Sequence, residues 1–197
     1  MSPSPSPAPQ PAQPPPSGDF LRIGKNPYNL ITYQKSRCIY LITRHFVRVA
    51  LTRGDRTVDQ MIQAARSGKQ NIIEGAKAGP TSRETEIRLT NVAKASLQEL
   101  REDFLDWLRA NDAPIWVDGS ENYTKARHIC GRHNDEAFYK SCIAVRQPPA
   151  IANIAVVLID QTDALLYKQL LRLQRDFLRF GGVREAMAAA RRVARGY

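Results

Sequence analysis

The sequence predicts an all-α protein: an up-down four-helix bundle with a C-terminal helical extension and a disordered Pro-rich N-terminal tail. Three observations carry this expectation. Apolar residues recur at the 3.6-residue helical spacing through four long segments. Gly and Pro punctuate the chain between those segments. No stretch gives a strand signal, in which apolar and polar residues would alternate. With 197 residues, the chain supports one ordinary domain, or one domain plus an appendage.

Residues 1–19 are the tail. They are almost entirely Ser, Pro, Ala and Gln, ending Pro14-Pro15-Pro16-Ser17-Gly18. Such a segment cannot bury a core and reads as a spacer more readily than as a groove ligand. The bundle is expected over 20–182. Its first helix spans Asn29 to Leu51, with Ile31, Cys38, Ile42, His45 and Val49 on one face. Gly54 ends it. The second spans Asp55 to Lys77, with a stripe of Val58, Met61, Ile62, Ala65, Ile72 and Ala76. Asp55 and Asp59 suit its positive N-terminal dipole.

Gly79-Pro80 breaks the chain, and Thr81-x-x-Glu84 reads as a capping box for the third helix. That helix continues through Leu89, Ala93, Ser96, Leu97, Leu100, Phe104 and Leu108 to Asn111, ~45 Å at 1.5 Å per residue. An irregular insert follows at 112–148: a loop to about residue 120, then one or two short helices. Pro148-Pro149 opens the fourth long helix, through Ile151, Ile154, Val157, Leu158, Leu165, Leu166, Leu170 and Leu173 to Phe180, where Gly181-Gly182 stops it. Residues 183–197 form a short basic helix rich in Ala.

Charge bears on function. Lys and Arg number 29 against 19 Asp and Glu, a formal +10, which favours anionic partners. Cys38, Cys130 and Cys142 are scattered and odd in number, and the first residues lack the basic start and apolar run of a signal peptide. A reduced, cytoplasmic setting is therefore expected. No membrane segment is expected, because the longest apolar run, Ile154 to Ile159, is far short of the ~20 residues a span needs.

Two basic stretches are the candidate nucleic-acid contacts. Between Phe20 and Gly54 there are seven Lys or Arg and no acid. Lys35, Arg37, Arg44 and Arg48 lie here, with Tyr33 and Tyr40 seven residues apart beside them. Phosphate pairing plus aromatic stacking would use such a stripe, although a solvated helix face with two packed Tyr gives the same pattern. In the second stretch Lys168, Arg172, Arg175 and Arg179 recur at three- or four-residue spacing, followed by Arg184, Arg191, Arg192 and Arg195. Only Asp176 and Glu185 oppose these eight. Arg can meet phosphate bidentately, and a helix C-terminus also attracts cations through its dipole. Glu99, Glu102, Asp103 and Asp106 form an acidic patch that is either solvated or docked on a basic neighbour.

Little points to catalysis. There is no phosphate-binding Gly loop, nucleophile elbow or His-Glu metalloprotease pattern. Asn71, Glu74 and Gly75 read as a helix terminus. His128-x-Cys130-x-x-His133 with Cys142 is the one metal-like cluster, but the single-residue gap and lack of Cys-x-x-Cys argue against zinc. No catalytic residue, metal or cofactor is expected. Asn153, Asp160 and Asp163 interrupt the apolar fourth helix, where buried polar groups can specify register or subunit pairing.

Residues 28–110 resemble a known family. Gln60-Met61-x-x-Ala64-Ala65-x-Ser67-x-x-x-Asn71-Ile72-x-Glu74-Gly75 holds the register of its second helix without a gap. Ser82, Glu86, Leu89, Ala93, Ser96, Glu99 and Leu100 match its third helix, and Leu30-Ile31-x-Tyr33-Gln34-Lys35 its first. The family is that of the intervening-sequence proteins of large-subunit ribosomal RNA and the accessory proteins of diversity-generating retroelements. The chain looks like a subgroup with a longer C-terminal region. Gly68 and Lys69 depart from the pattern, which more often has an apolar residue and Pro. The resemblance implies a four-helix bundle, ring-like homopentamers, and binding to a reverse transcriptase and its template RNA. The expected function is a non-enzymatic oligomer that contacts RNA or DNA, or a reverse transcriptase, through basic helix faces. The alternatives are a homo-oligomer whose partner is a protein and, more remotely, a zinc enzyme.

Overall fold

The computed structural model describes residues 26–195, in which every regular element is a helix and none is a strand. The expected tail at 1–19 lies outside the described residues. A single 3₁₀ turn, Pro27–Asn29, leads into α1 (Ile31–Ala50), α2 (Arg56–Ala78) and α3 (Arg83–Ala110). Two short helices, α4 (Glu121–Arg132) and α5 (Glu136–Ala144), occupy the insert. The chain ends in α6 (Pro148–Phe180) and α7 (Val183–Ala194).

The four long helices pack in a closed cycle: α1 on α2, α2 on α3, α3 on α6, and α6 back on α1. Each neighbouring pair is antiparallel. Tyr40 of α1 meets Lys69 of α2, while Tyr28 before α1 meets Lys77 near the end of α2. Ser67 pairs with Ser96 across α2 and α3, and Gly75 lies against Leu89. Arg101 of α3 pairs with Asp160 of α6 at 2.6 Å, and Lys94 with Asp163 at 2.9 Å. Thr32 and Lys35 of α1 bond to Gln169 and Gln161 of α6. Across the interior, Phe46 meets Phe104 and Trp107 edge to face at 4.9 and 5.0 Å.

Small residues set the α2–α3 seam. A Cβ on Gly68 would sit 2.7 Å from Leu97 Cδ2, and Leu97 is fully buried with little freedom to yield. Ser67 Oγ lies 2.9 Å from Ser96 Oγ and accepts from Asn71 Nδ2 at 3.2 Å, so the seam carries its own polar link. Glu74 and Gly75 lie at the last turn of α2, which ends at Ala78, and Gly75 is a second close-approach position. The cap of α3 is Ser82, one residue later than expected. Ser82 Oγ accepts from the Thr85 amide at 3.2 Å, while Thr81 Oγ1 turns back to donate to the Ala78 carbonyl.

The α1 stripe also differs. Its buried set is Thr32, Lys35, Ser36, Cys38, Ile39, Ile42, Thr43, Phe46 and Val47. Ile31 and Val49 are about half exposed, at 50% and 46%. Four polar residues on the buried face disguised it. Ser36 and Thr43 are satisfied by local carbonyls, Tyr33 O and Ile39 O. Cys38 is covered because α5 packs on α1.

α6 is the central element. Ile151 through Ile159 are buried without interruption, because α3, α1 and α4 surround this half of the helix. By length and composition Pro148–Ala194 contains a window apolar enough to cross a membrane, and 61% of that window is buried inside the protein. Asn153 sits in this apolar run and fastens the loop after α3. Its Oδ1 accepts from the Trp116 amide at 2.7 Å, and its Nδ2 donates to Pro114 O and Pro149 O. Asn153, Asp160 and Asp163 thus fix register within one chain.

Candidate nucleic-acid interface

Of the cations expected on α1, Lys35 leaves the surface altogether. It is 3% exposed, and its Nζ donates to the Cys130 carbonyl at 2.6 Å and to Gln161 Oε1 at 3.2 Å. Gln161 Nε2 in turn donates to Arg127 O at 2.5 Å, so the pair caps carbonyls near the C-terminal end of α4. Burial pushes the Lys35 amine below its usual range. It is a structural group and cannot meet phosphate.

Arg37 is exposed but forms an ion pair with Glu136 at the start of α5. Arg44 and Arg48 remain open. Arg48 lies 3.3 Å from His45 Nδ1, and burial together with Arg48 lowers the His45 pKa. Tyr40 lies between cations: Lys69 Nζ is 4.2 Å from its ring centroid and the Arg44 guanidinium 5.9 Å. Lys69 therefore escapes an unpaired apolar burial by lying over an aromatic face. Tyr33 is half-buried and packs edge to face on Tyr28 at 5.7 Å. Tyr28 also accepts from Lys77 Nζ at 3.1 Å.

The second stretch keeps its cations exposed. Lys168, Arg172, Arg175 and Arg179 all lie on the open side of α6. At ~100° per residue they fall within ~60° of one another. None forms an ion pair among the described residues. Arg172 contributes a favourable charge to Glu86, and Arg179 lies 5.1 Å from the Phe180 ring centroid. Gly181, with φ 68, ends α6 in a conformation that favours glycine, and α7 adds exposed Arg184, Arg191, Arg192 and Arg195.

The two stretches are not brought together. The α6 cations stand beside the start of α1, where Thr32 meets Gln169. Arg48 is sixteen residues further along α1, ~24 Å away along the axis. The acidic patch of α3 is partly neutralised by its own helix. Glu102 pairs with Arg101 at 2.9 Å, and Asp106 with Arg109 at 2.6 Å.

The His-Cys cluster is dispersed. Cys130 is buried, and His133 stacks on Phe138 at 3.6 Å between centroids. Among the described residues no group of three or more His, Cys, Asp or Glu is placed to hold a metal ion. Burial pushes the Cys38 thiol up to about 12 and raises Cys130 as well, so both are protonated thiols at neutral pH.

Comparison with families of known proteins, with curated proteins and with solved structures returns no match for this chain.

Proposed function

We propose that this protein is a non-enzymatic, homo-oligomeric accessory protein that binds nucleic acid through the cationic end of α6 and α7. On this reading the cycle of four antiparallel helices is an up-down four-helix bundle, and α7 is its C-terminal extension. The carrying observation is the run of Lys168, Arg172, Arg175 and Arg179 on one exposed face, none of them in an ion pair within the described residues. Four cations spread over twelve residues follow ~16 Å of helix, a length that can track several backbone phosphates. Arg44, Arg48 and the Tyr40–Lys69 pair form a smaller second patch. The resemblance over 28–110 adds a reverse transcriptase as protein partner, a diversity-generating retroelement as setting, a pentameric ring as assembly and the cytoplasm as location.

The test is charge reversal. The R172E/R175E/R179E variant is expected to lose RNA binding at ~100 mM salt while keeping wild-type helicity. Unchanged RNA affinity would sink the assignment. A second reading, a homo-oligomer that binds a protein without nucleic acid, draws on Ile31 and Val49, which α1 leaves exposed at the two ends of one face. Absence of RNA and DNA binding at low salt, from a protein of multimeric mass, would favour it.

A further inference from the structure

The cations of α6 are only half of that exposed face. Beside them run Tyr167 at 55% exposure, Leu171 at 41% and Leu178 at 76%. At ~100° per residue these three fall within ~40° of one another, immediately next to the basic ladder. The stripe extends over ~16 Å, three turns of helix. In the other half of the same helix every residue from Ile151 to Ile159 is buried, so exposure here is a local property of the surface.

We infer that this face is a docking site for an acidic amphipathic helix of a partner protein. The two stripes together select this occupant. Phosphates would engage the cations and leave three large apolar side chains in water. A helix with its own apolar seam would cover Tyr167, Leu171 and Leu178, and flanking Asp or Glu would meet Lys168, Arg172, Arg175 and Arg179. A second copy of this chain is a poorer match. On its acidic α3 face Glu102 and Asp106 are already paired with Arg101 and Arg109, and the large apolar residue exposed on α3 is Val92. The inference goes beyond nucleic-acid binding and shares its cations, so peptide and RNA should compete.

The probe is a fluorescein-labelled, 21-residue synthetic helix with Leu at the a and d positions and Glu at e and g, read by anisotropy against the full chain. Binding is expected, with competition by unlabelled RNA. The L171S/L178S variant should weaken peptide binding at least tenfold, with RNA affinity and helicity unchanged. A composition-matched acidic peptide with its Leu positions scrambled should bind at least tenfold more weakly. Failure of the wild-type protein to bind the peptide, or equal binding of the scrambled peptide, would overturn the inference while leaving the nucleic-acid reading intact. A concentration-dependent rise in mass that L171S/L178S abolishes would also overturn it, by assigning the face to a second copy. Loss of RNA binding in R172E/R175E/R179E bears on the nucleic-acid reading alone.

Discussion

The two halves of α6 are built from one unbroken helix and do opposite things. From Ile151 to Ile159 every side chain is buried, with α3, α1 and α4 around it. From Ala164 to Phe180 only Leu166 and Leu173 are buried, and the open side carries cations and apolar residues in adjacent stripes. The insert makes the difference. α4 covers the first half of α6, so that half must be apolar all round. Past Gln161, which still bonds to Arg127 O of α4, the helix has lost that cover. Its other side is then exposed, and its sequence turns amphipathic at that point.

The contrast can be broken most directly by truncating matched leucines. Leu158→Ala removes a fully buried side chain and is expected to cost about 2–5 kcal/mol in urea unfolding. Leu171→Ala, thirteen residues on, should cost about 0.5 kcal/mol or less. Equal losses would mean that the second half is covered by the protein itself.

A second comparison sets the buried cation against an exposed one. Lys35→Ala strips the donor from the Cys130 carbonyl and Gln161 and opens a cavity, for an expected loss of about 2–4 kcal/mol. Arg44→Ala should leave stability within about 0.5 kcal/mol. RNA affinity should move the other way, weakening for Arg44→Ala and holding for whatever fraction of Lys35→Ala remains folded. Stability unaffected by Lys35→Ala would return that residue to the surface.

The smallest effect concerns pH at the end where α3 meets α6. Burial raises the Glu86 pKa above its ordinary 4.5, despite its 2.6 Å pair with Arg83. The unfolded chain therefore releases this proton at lower pH than the folded chain. Between the two pKa values the folded state binds more protons, so this group's contribution makes stability fall as pH rises. Glu86→Gln should remove that component, seen as a wild-type-minus-variant difference in urea midpoint that changes through the range just above pH 4.5. A flat difference would show that Glu86 is solvated.

Much of the fold was legible because it rests on periodicity and punctuation. The bounds of α6 at Pro148 and Phe180 follow from Pro-Pro and Gly-Gly. Where the reading slipped, polar residues carried tertiary roles. Lys35 looked like one more cation in a basic helix, since nothing local reveals that α4 would present a carbonyl to it. Thr81 and Ser82 both satisfy a capping pattern, and only the turn geometry selects Ser82. The α6 cations were legible as a cluster from their spacing. The neighbouring Tyr167, Leu171 and Leu178 were not legible as exposed, because the same spacing would serve a core stripe.

Nucleic-acid binding by α6 is tested by RNA affinity across a salt series for the wild type and R172E/R175E/R179E. Each phosphate contact contributes ~0.7 to the slope of log affinity against log salt for single strands. A steep fall is expected for the wild type and, wherever the variant still binds, a slope shallower by about 2. Equal slopes in the two proteins would contradict it and move nucleic-acid contact, if any, off α6.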